Sequence, residues 1–363
     1  MKKLPTQKRE YLAPPITEVG FIGWLHSNLF NNWYNSLLTI IILLLFWQLV
    51  PPFFSWAFIN SLWNSSAAEC RDIDGACWSI IPRNVDFIFF GFFPEDQQWR
   101  PGLAMFLLLG MVFYSKDRNR WKKSLFVYWT INLVVMGTLM YGGVFGMPVV
   151  ETAQWSGLPL TFMLALFGMV AAYPIGVLLA LGRKSRMPAI KTLCVVYIEM
   201  IRGVPLISLL FMSSVMFPLF LPEGVTIDKV LRAQAAIILF TAAYIAEVVR
   251  GGLQAMPRGQ FEAADSIGLN YSQTMRLIIL PQALKIVIPP SVGILLSAFK
   301  DTSLVVIIAL YDILKTTKVT LSNPQWTNYS TEAYLFLALF YFICCYSMSS
   351  YSRKLEKELH TGH

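Results

Sequence analysis

Long runs of apolar residues recur along this chain without the every-second-residue alternation of a half-buried strand. A bilayer-spanning helix needs about 20 mostly apolar residues, and continuous rather than alternating hydrophobicity points to helices rather than a barrel. The pattern predicts spans near 36–58, 102–115, 125–147, 160–181, 192–217, 231–252, 282–299 and 333–350. The second is short, and longer if it borrows Trp99 to Pro101. The expected fold class is an all-α integral membrane protein with about eight transmembrane helices. Composition agrees: of 363 residues, 56% are hydrophobic and only 14% charged.

Positive charge falls between the runs in clusters that predict orientation. Lys2, Lys3, Lys8 and Arg9 precede the first span; Lys116, Arg118, Arg120, Lys122 and Lys123 follow the second. Arg183, Lys184, Arg186 and Lys191 follow the fourth, and Arg353, Lys354 and Lys357 follow the last. Short cytoplasmic loops retain Lys and Arg, so all four clusters, and with them both termini, are expected in the cytoplasm. The loop 60–100 carries Glu69, Asp72, Asp74, Asp86, Glu95 and Asp96 and is expected outside. The net charge of +8 then reads as an orientation signal and an attraction to anionic membrane lipid, not as a nucleic-acid surface.

Candidate chemistry within the chain is sparse. No short apolar core with a small-residue cleavage site lies near Met1, so no cleaved leader is expected. Cys70 and Cys77, with six residues between them on the expected exterior, can form a local disulfide, the alternative being two free thiols. Cys194, Cys344 and Cys345 fall in or beside spans without His or carboxylate at ligand spacing, and no metal site is expected. The histidines are His26, His360 and His363, which make no catalytic constellation. No G-x-x-x-x-G-K-[ST] phosphate loop occurs, so nothing here hydrolyses ATP unaided.

One polar stretch interrupts the apolar pattern: Glu262 to Pro281, EAADSIGLNYSQTMRLIILP. Glu262, Ala263 and Ala264 favour helix, Gly268 allows a turn, and Pro281 suits the first turn of the next span. The result predicted is helix, turn, helix. Its fixed positions, Glu262-Ala263-Ala264, then Gly268, Ile278 and Leu280-Pro281, resemble the cytoplasmic signature of ATP-binding-cassette (ABC) importer permeases. The segments WSGLPLTF, IEMIRGVPLI, AYIAEVVRGGLQAMPRGQFEAA and FKDTSLV extend the likeness over about 155–352, to polar amino-acid importer permeases of the type I fold. VPPFFSWAF, the CRDIDGACW loop and FFPEDQQWRP resemble more narrowly the general L-amino-acid permease subunits.

The resemblance implies a division into a cytoplasmic segment 1–35, an accessory membrane region 36–154, a five-span permease core 155–352 and a tail 353–363. It implies that Glu262–Pro281 enters a groove on an ATP-binding subunit dimer, which holds ATP-Mg while this chain holds no cofactor. It further implies a second related permease in a heterodimer, an extracytoplasmic solute-binding protein, L-amino acids as cargo and a bacterial inner-membrane location.

Two charge patterns lie inside spans. Glu199-Met-Ile-Arg202-Gly203 is echoed by Glu247-Val-Val-Arg250-Gly251, and residues three apart share a helix face. Each pair is expected to neutralise itself, with Arg202 roughly 15 Å into its span and Arg250 close to the cytoplasmic exit. Glu199 and Arg202 either line a cavity for an amino acid's charged groups or lock helices together; Glu247 and Arg250 read first as structural. Lys300-Asp301-Thr302-Ser303 interrupts another apolar run, where the helix is expected to break, as pathway or as hinge. The functional expectation is a non-catalytic permease subunit of an ATP-driven importer. The alternative is an ion-gradient-driven secondary transporter, which would have no use for the docking segment.

Overall fold

The computed structural model describes residues 20–359. Lys2, Lys3, Lys8 and Arg9, with the start of the 1–35 segment, lie outside the described residues, as do the last four residues of the tail. The chain separates into two compact units, up to Trp78 and from Ser79 onward.

The first unit holds α1 (Gly20–Leu29) and α2 (Trp33–Phe54). α2 is apolar on every side and none of its residues is buried, the state of a helix whose solvent is lipid. Pro51 and Pro52 each lack an amide hydrogen, and just beyond them the backbone widens into a π-helical turn, Ser55–Ile59. The chain then folds back on that turn. Leu62 N–H donates to Ala76 O (2.9 Å), Ala76 N–H to Trp56 O (2.8 Å) and Trp78 Nε1–H to Ala57 O (2.7 Å). Cys70 and Cys77 are joined, with Cα atoms 5.7 Å apart.

The second unit contains α3 (Ile80–Phe90), α4 (Trp99–Ser115), α5 (Lys123–Tyr141), α6 (Gly157–Arg183), α7 (Pro188–Gly203), α8 (Leu206–Phe211), α9 (Lys229–Gln254) and α10 (Arg258–Ser266). α11 (Tyr271–Gln273), α12 (Leu280–Asp301), the two-residue strand β1 (Tyr311–Asp312), α13 (Ile313–Leu321) and α14 (Ser330–Leu359) follow. α6 and α9 form its centre. Small residues along α6, Ala165, Gly168, Ala172, Gly176 and Ala180, let α9 approach closely. A Cβ at Gly176 would lie 2.6 Å from Ile245 Cγ2 and 2.9 Å from Ala242 O, so only glycine fits there. One buried cluster joins α4, α5, α6, α8 and α9; another joins the far ends of α6 and α9 to α7 and α12.

The expected eight spans become six helices long and apolar enough to cross a membrane among the described residues, or seven if one bent pair counts as a span. Two physical reasons account for the difference. α4 does begin at Trp99, and its 17 residues, about 25 Å of helix, stand at the short end of the range for a span. The 192–217 run is not one helix: α7 stops at Gly203, Pro205 cannot continue it, and the following stretch Leu206–Phe220 leaves at 104°.

β1 pairs beside Ser156 and Gly157, and its Asp312 caps α13 by accepting Lys315 N–H at 3.0 Å. Its other carboxyl oxygen is buried without a hydrogen-bond partner among the described residues. Burial pushes this carboxyl up to about 6, against the lowering effect of backbone N–H groups.

Candidate functional site

The polar segment folds as a helix, a turn and a second helix. α10 ends where Gly268 takes φ +77°, a conformation that favours glycine, and no atom lies within 4 Å of where its Cβ would be. Asn270 then starts the next helix through a capping box: its side chain accepts Gln273 N–H (2.9 Å) while Gln273 Oε1 accepts Asn270 N–H (3.0 Å). From Tyr271 the chain stays helical, through a π-helical stretch Thr274–Ile279, into α12. The helical run therefore begins at Tyr271, ahead of the apolar stretch 282–299. Pro281 falls in the first turn of α12, as expected, within a longer helical run that the capping box starts at Tyr271.

The seven residues of the signature separate by exposure. Glu262, Ala263, Gly268 and Pro281 are exposed, whereas Ala264 is fully buried and Ile278 and Leu280 pack half-buried against the cluster of α6, α9 and α12. Ala264 is buried against its own chain, in α10, which packs on the stretch Thr274–Ile279. Three residues outside the signature complete the presented surface: Ile267, Tyr271 and Leu277 are exposed apolar side chains around the turn. Ile267 was visible in sequence as an apolar residue in a polar turn. For Leu277 no signal separates it from its buried neighbour Ile279.

The two Glu–Arg pairs are not separate. Glu247 faces three guanidinium groups: Arg183 at 3.5 Å, Arg202 at 3.6 Å and Arg250 in close contact. Glu199 accepts from Arg183 at 2.7 Å and lies 3.9 Å from Arg202. Arg202 and Arg250 both reach the Glu247 carboxylate, so the two pairs are joined in one cluster. Arg183 had been read only as a cytoplasmic charge at the end of a span; nothing in the sequence pairs it with residues sixteen and sixty-four positions away.

Arg202 also stacks over Tyr244, 5.7 Å from the ring centroid, and Tyr244 lines a cavity of about 370 Å³ between α9 and α12. Asp301 also lines that cavity, with Thr241 and Ser297 as further polar walls and Leu206, Phe240 and Ile294 as apolar ones. The α-helix gives way to a 3₁₀ stretch, Thr302–Ile308, directly after Asp301. Thr302 is buried and donates to Phe299 O, and Ser303 donates to Lys300 O, so both hydroxyls serve the backbone of that transition. Lys300 is exposed and not part of the cavity wall. The structure thus brings Asp301 to the cavity directly and Arg202 through Tyr244, while Glu199, Glu247 and Arg250 stay in the charge cluster. Among the described residues no three His, Cys, Asp or Glu side chains gather as a metal-ligand set.

Residues 172–361 match the family described as binding-protein-dependent transport system inner membrane component. The chain is 49% identical over 346 residues, 93% of each chain, to the inner membrane amino-acid ABC transporter permease protein YhdY of Escherichia coli K12. It is 38% identical over 427 aligned positions, 98% of each chain, to the glutamate/glutamine/aspartate/asparagine transport system permease protein BztC of Rhodobacter capsulatus. Among solved structures, a chain of an amino acid ABC transporter superposes with a TM-score of 0.50 at 29% identity, covering 55% of this chain and 90% of its own length.

Proposed function

Because the chain belongs to the family of binding-protein-dependent transport system inner membrane components, we propose that it is the permease subunit of an ATP-driven importer of polar or general L-amino acids. The observation that carries the coupling part of this reading is the Gly268 turn, where Glu262, Ala263, Ile267 and Tyr271 stand exposed between two helices anchored in the bundle. An ATP-binding subunit seated there can push on α10 and move α9 and α12 together. ATP-Mg belongs to that partner, and hydrolysis is not a task of this chain.

The cavity between α9 and α12 supports the cargo assignment. Its volume of about 370 Å³ accommodates a single amino acid, Asp301 offers a carboxylate to an ammonium group, and Arg202 behind Tyr244 supplies the opposite charge. A second, related permease would complete the pathway from the other side, with a solute-binding protein delivering cargo outside and both termini of this chain in the cytoplasm. Uptake of radiolabelled L-amino acids into membrane vesicles tests the proposal. Uptake that needs ATP inside and survives collapse of ion gradients supports it; uptake that follows the gradient and ignores ATP favours a secondary transporter instead.

A further inference from the structure

Four residues before Leu206, which lines the cavity between α9 and α12, Arg202 reaches from the last turn of α7 onto α9. Its guanidinium lies 5.7 Å from the centroid of the Tyr244 ring, which also packs against the Phe240 ring at 4.9 Å. Along α9 the wall residues are Ile237, Phe240, Thr241 and Tyr244, so Tyr244 is the one nearest the end that leads into α10 and the Gly268 turn. Past it the two helices meet: a Cβ at Gly252 would collide with Val287 Cγ1 and lie 3.0 Å from Ala283 O. On α12 the wall begins at Pro290, three residues beyond Val287. Toward the Gly268 turn the cavity therefore gives way to direct helix contact, and Tyr244 is its last wall residue on α9.

Arg202 is also the most loosely held arginine of the charge cluster. Arg183 and Arg250 hydrogen-bond to Glu199 and Glu247. Arg202 stands 3.6 Å from Glu247 and 3.9 Å from Glu199, beyond hydrogen-bond length, and its Nε is buried without a hydrogen-bond partner among the described residues. Glu247 follows Tyr244 by three residues and so shares its face of α9. One guanidinium from α7 thus spans a ring and a carboxylate on α9, held by charge and by the electron-rich face of the ring and not by directional bonds. We infer that Tyr244 is the gate between the cavity and the release side, the side of the Gly268 turn, and that Arg202 is the positioning residue that holds its ring in place. The hydrogen-bonded pairs join α6 to α7 and α9 to itself, so a small movement of the end of α7 against α9 gives up only the long contact to Glu247 and the contact to the ring.

The inference rests on the importer reading only for which face is the release side, and its assay needs no cargo. In the full chain, with the subunits that accompany it, Ser297→Cys on the cavity wall is modified by a membrane-impermeant thiol reagent, with Cys194, Cys344 and Cys345 replaced by serine. With reagent on the cytoplasmic face, Tyr244→Ala is expected to speed modification about tenfold or more and Arg202→Gln about fivefold, the equivalent of about 1 kcal/mol of cation–π attraction. With reagent on the outer face neither changes the rate, and Arg202→Lys retains the slow rate on both. Trifluorophenylalanine at 244 keeps a ring there but removes its negative face, so relative to Tyr244→Phe it speeds modification about fivefold, which a purely structural role for the ring would not do. An unchanged rate in Tyr244→Ala overturns the inference, as do equal acceleration from both faces and equal rates for the fluorinated and plain rings. Protection of the thiol by L-glutamine is scored separately: its absence tells against the cargo assignment and leaves the gate standing.

Discussion

Glu247 is the residue whose loss the structure predicts to be most disruptive among the clustered charges. Its carboxylate faces Arg183, Arg202 and Arg250, and its side chain is 22% exposed, against 53% for Glu199. Glu247→Gln leaves Arg250 with no carboxylate within 4 Å among the described residues and sets three guanidinium groups against Glu199 alone. At an effective dielectric of about 20, each contact is worth about 4 kcal/mol before solvation. Breaking a buried pair costs about 3–5 kcal/mol and an exposed one about 0–1. Partial exposure brings the expected cost for Glu247→Gln to about 2–3 kcal/mol, and for Glu199→Gln to below about 1 kcal/mol. At about 2–4 °C per kcal/mol for a domain of this size, thermal unfolding in lipid nanodiscs should fall roughly 5–10 °C for Glu247→Gln and about 2 °C for Glu199→Gln. Adding Arg250→Gln to Glu247→Gln should cost less than the two changes separately, since its partner is already gone. Equal shifts for the two glutamates, or strict additivity of the pair, would refute the reasoning that one carboxylate organises three arginines.

Three further outcomes follow from particular residues. A Cβ at Gly268 meets nothing within 4 Å among the described residues and only the positive φ is strained, so with Gly268→Asp the chain should insert and fold normally while ATP-dependent uptake is lost; wild-type uptake would remove the turn from the coupling path. Asp301→Asn should raise the concentration of amino acid needed for half-maximal uptake at least tenfold while subunit assembly is unchanged, and unaltered uptake kinetics would exclude a cavity role. Asp312, pushed up to about 6 from an unfolded value of 3.8, binds its proton more tightly when folded, so stability should fall by at most about 3 kcal/mol as pH rises from about 4 to about 6 and then level off. Asp312→Asn should flatten that slope in pH-dependent unfolding, and an unchanged slope would assign it to another group.

The sequence made the long helices and the docking turn legible for different reasons. Apolar runs such as 160–181 and 231–252 lie within α6 and α9, since in lipid a continuous run has no competing solution to its backbone hydrogen bonds. The break after Gly203 was written in Val204-Pro205 but masked by apolar residues on both sides, because hydropathy measures polarity and not direction. The packing of α6, α7 and α9 gathers into one cluster the charges that the i, i+3 spacing pairs locally. The helical run starts at Tyr271 through the Asn270–Gln273 capping box, ahead of Pro281 in the first turn of α12. Arg183 and the cavity beside Asp301 depend on packing between distant helices, which no local pattern encodes.

The coupling claim is tested most directly by a photo-crosslinking residue placed at Ile267, in the intact native membrane, with the crosslinked partner identified by mass spectrometry. The account predicts one dominant partner, an ATP-binding subunit, whose yield changes when ATP is added. A crosslink only to lipid or to another part of this chain, unchanged by ATP, would contradict the role given to the Gly268 turn.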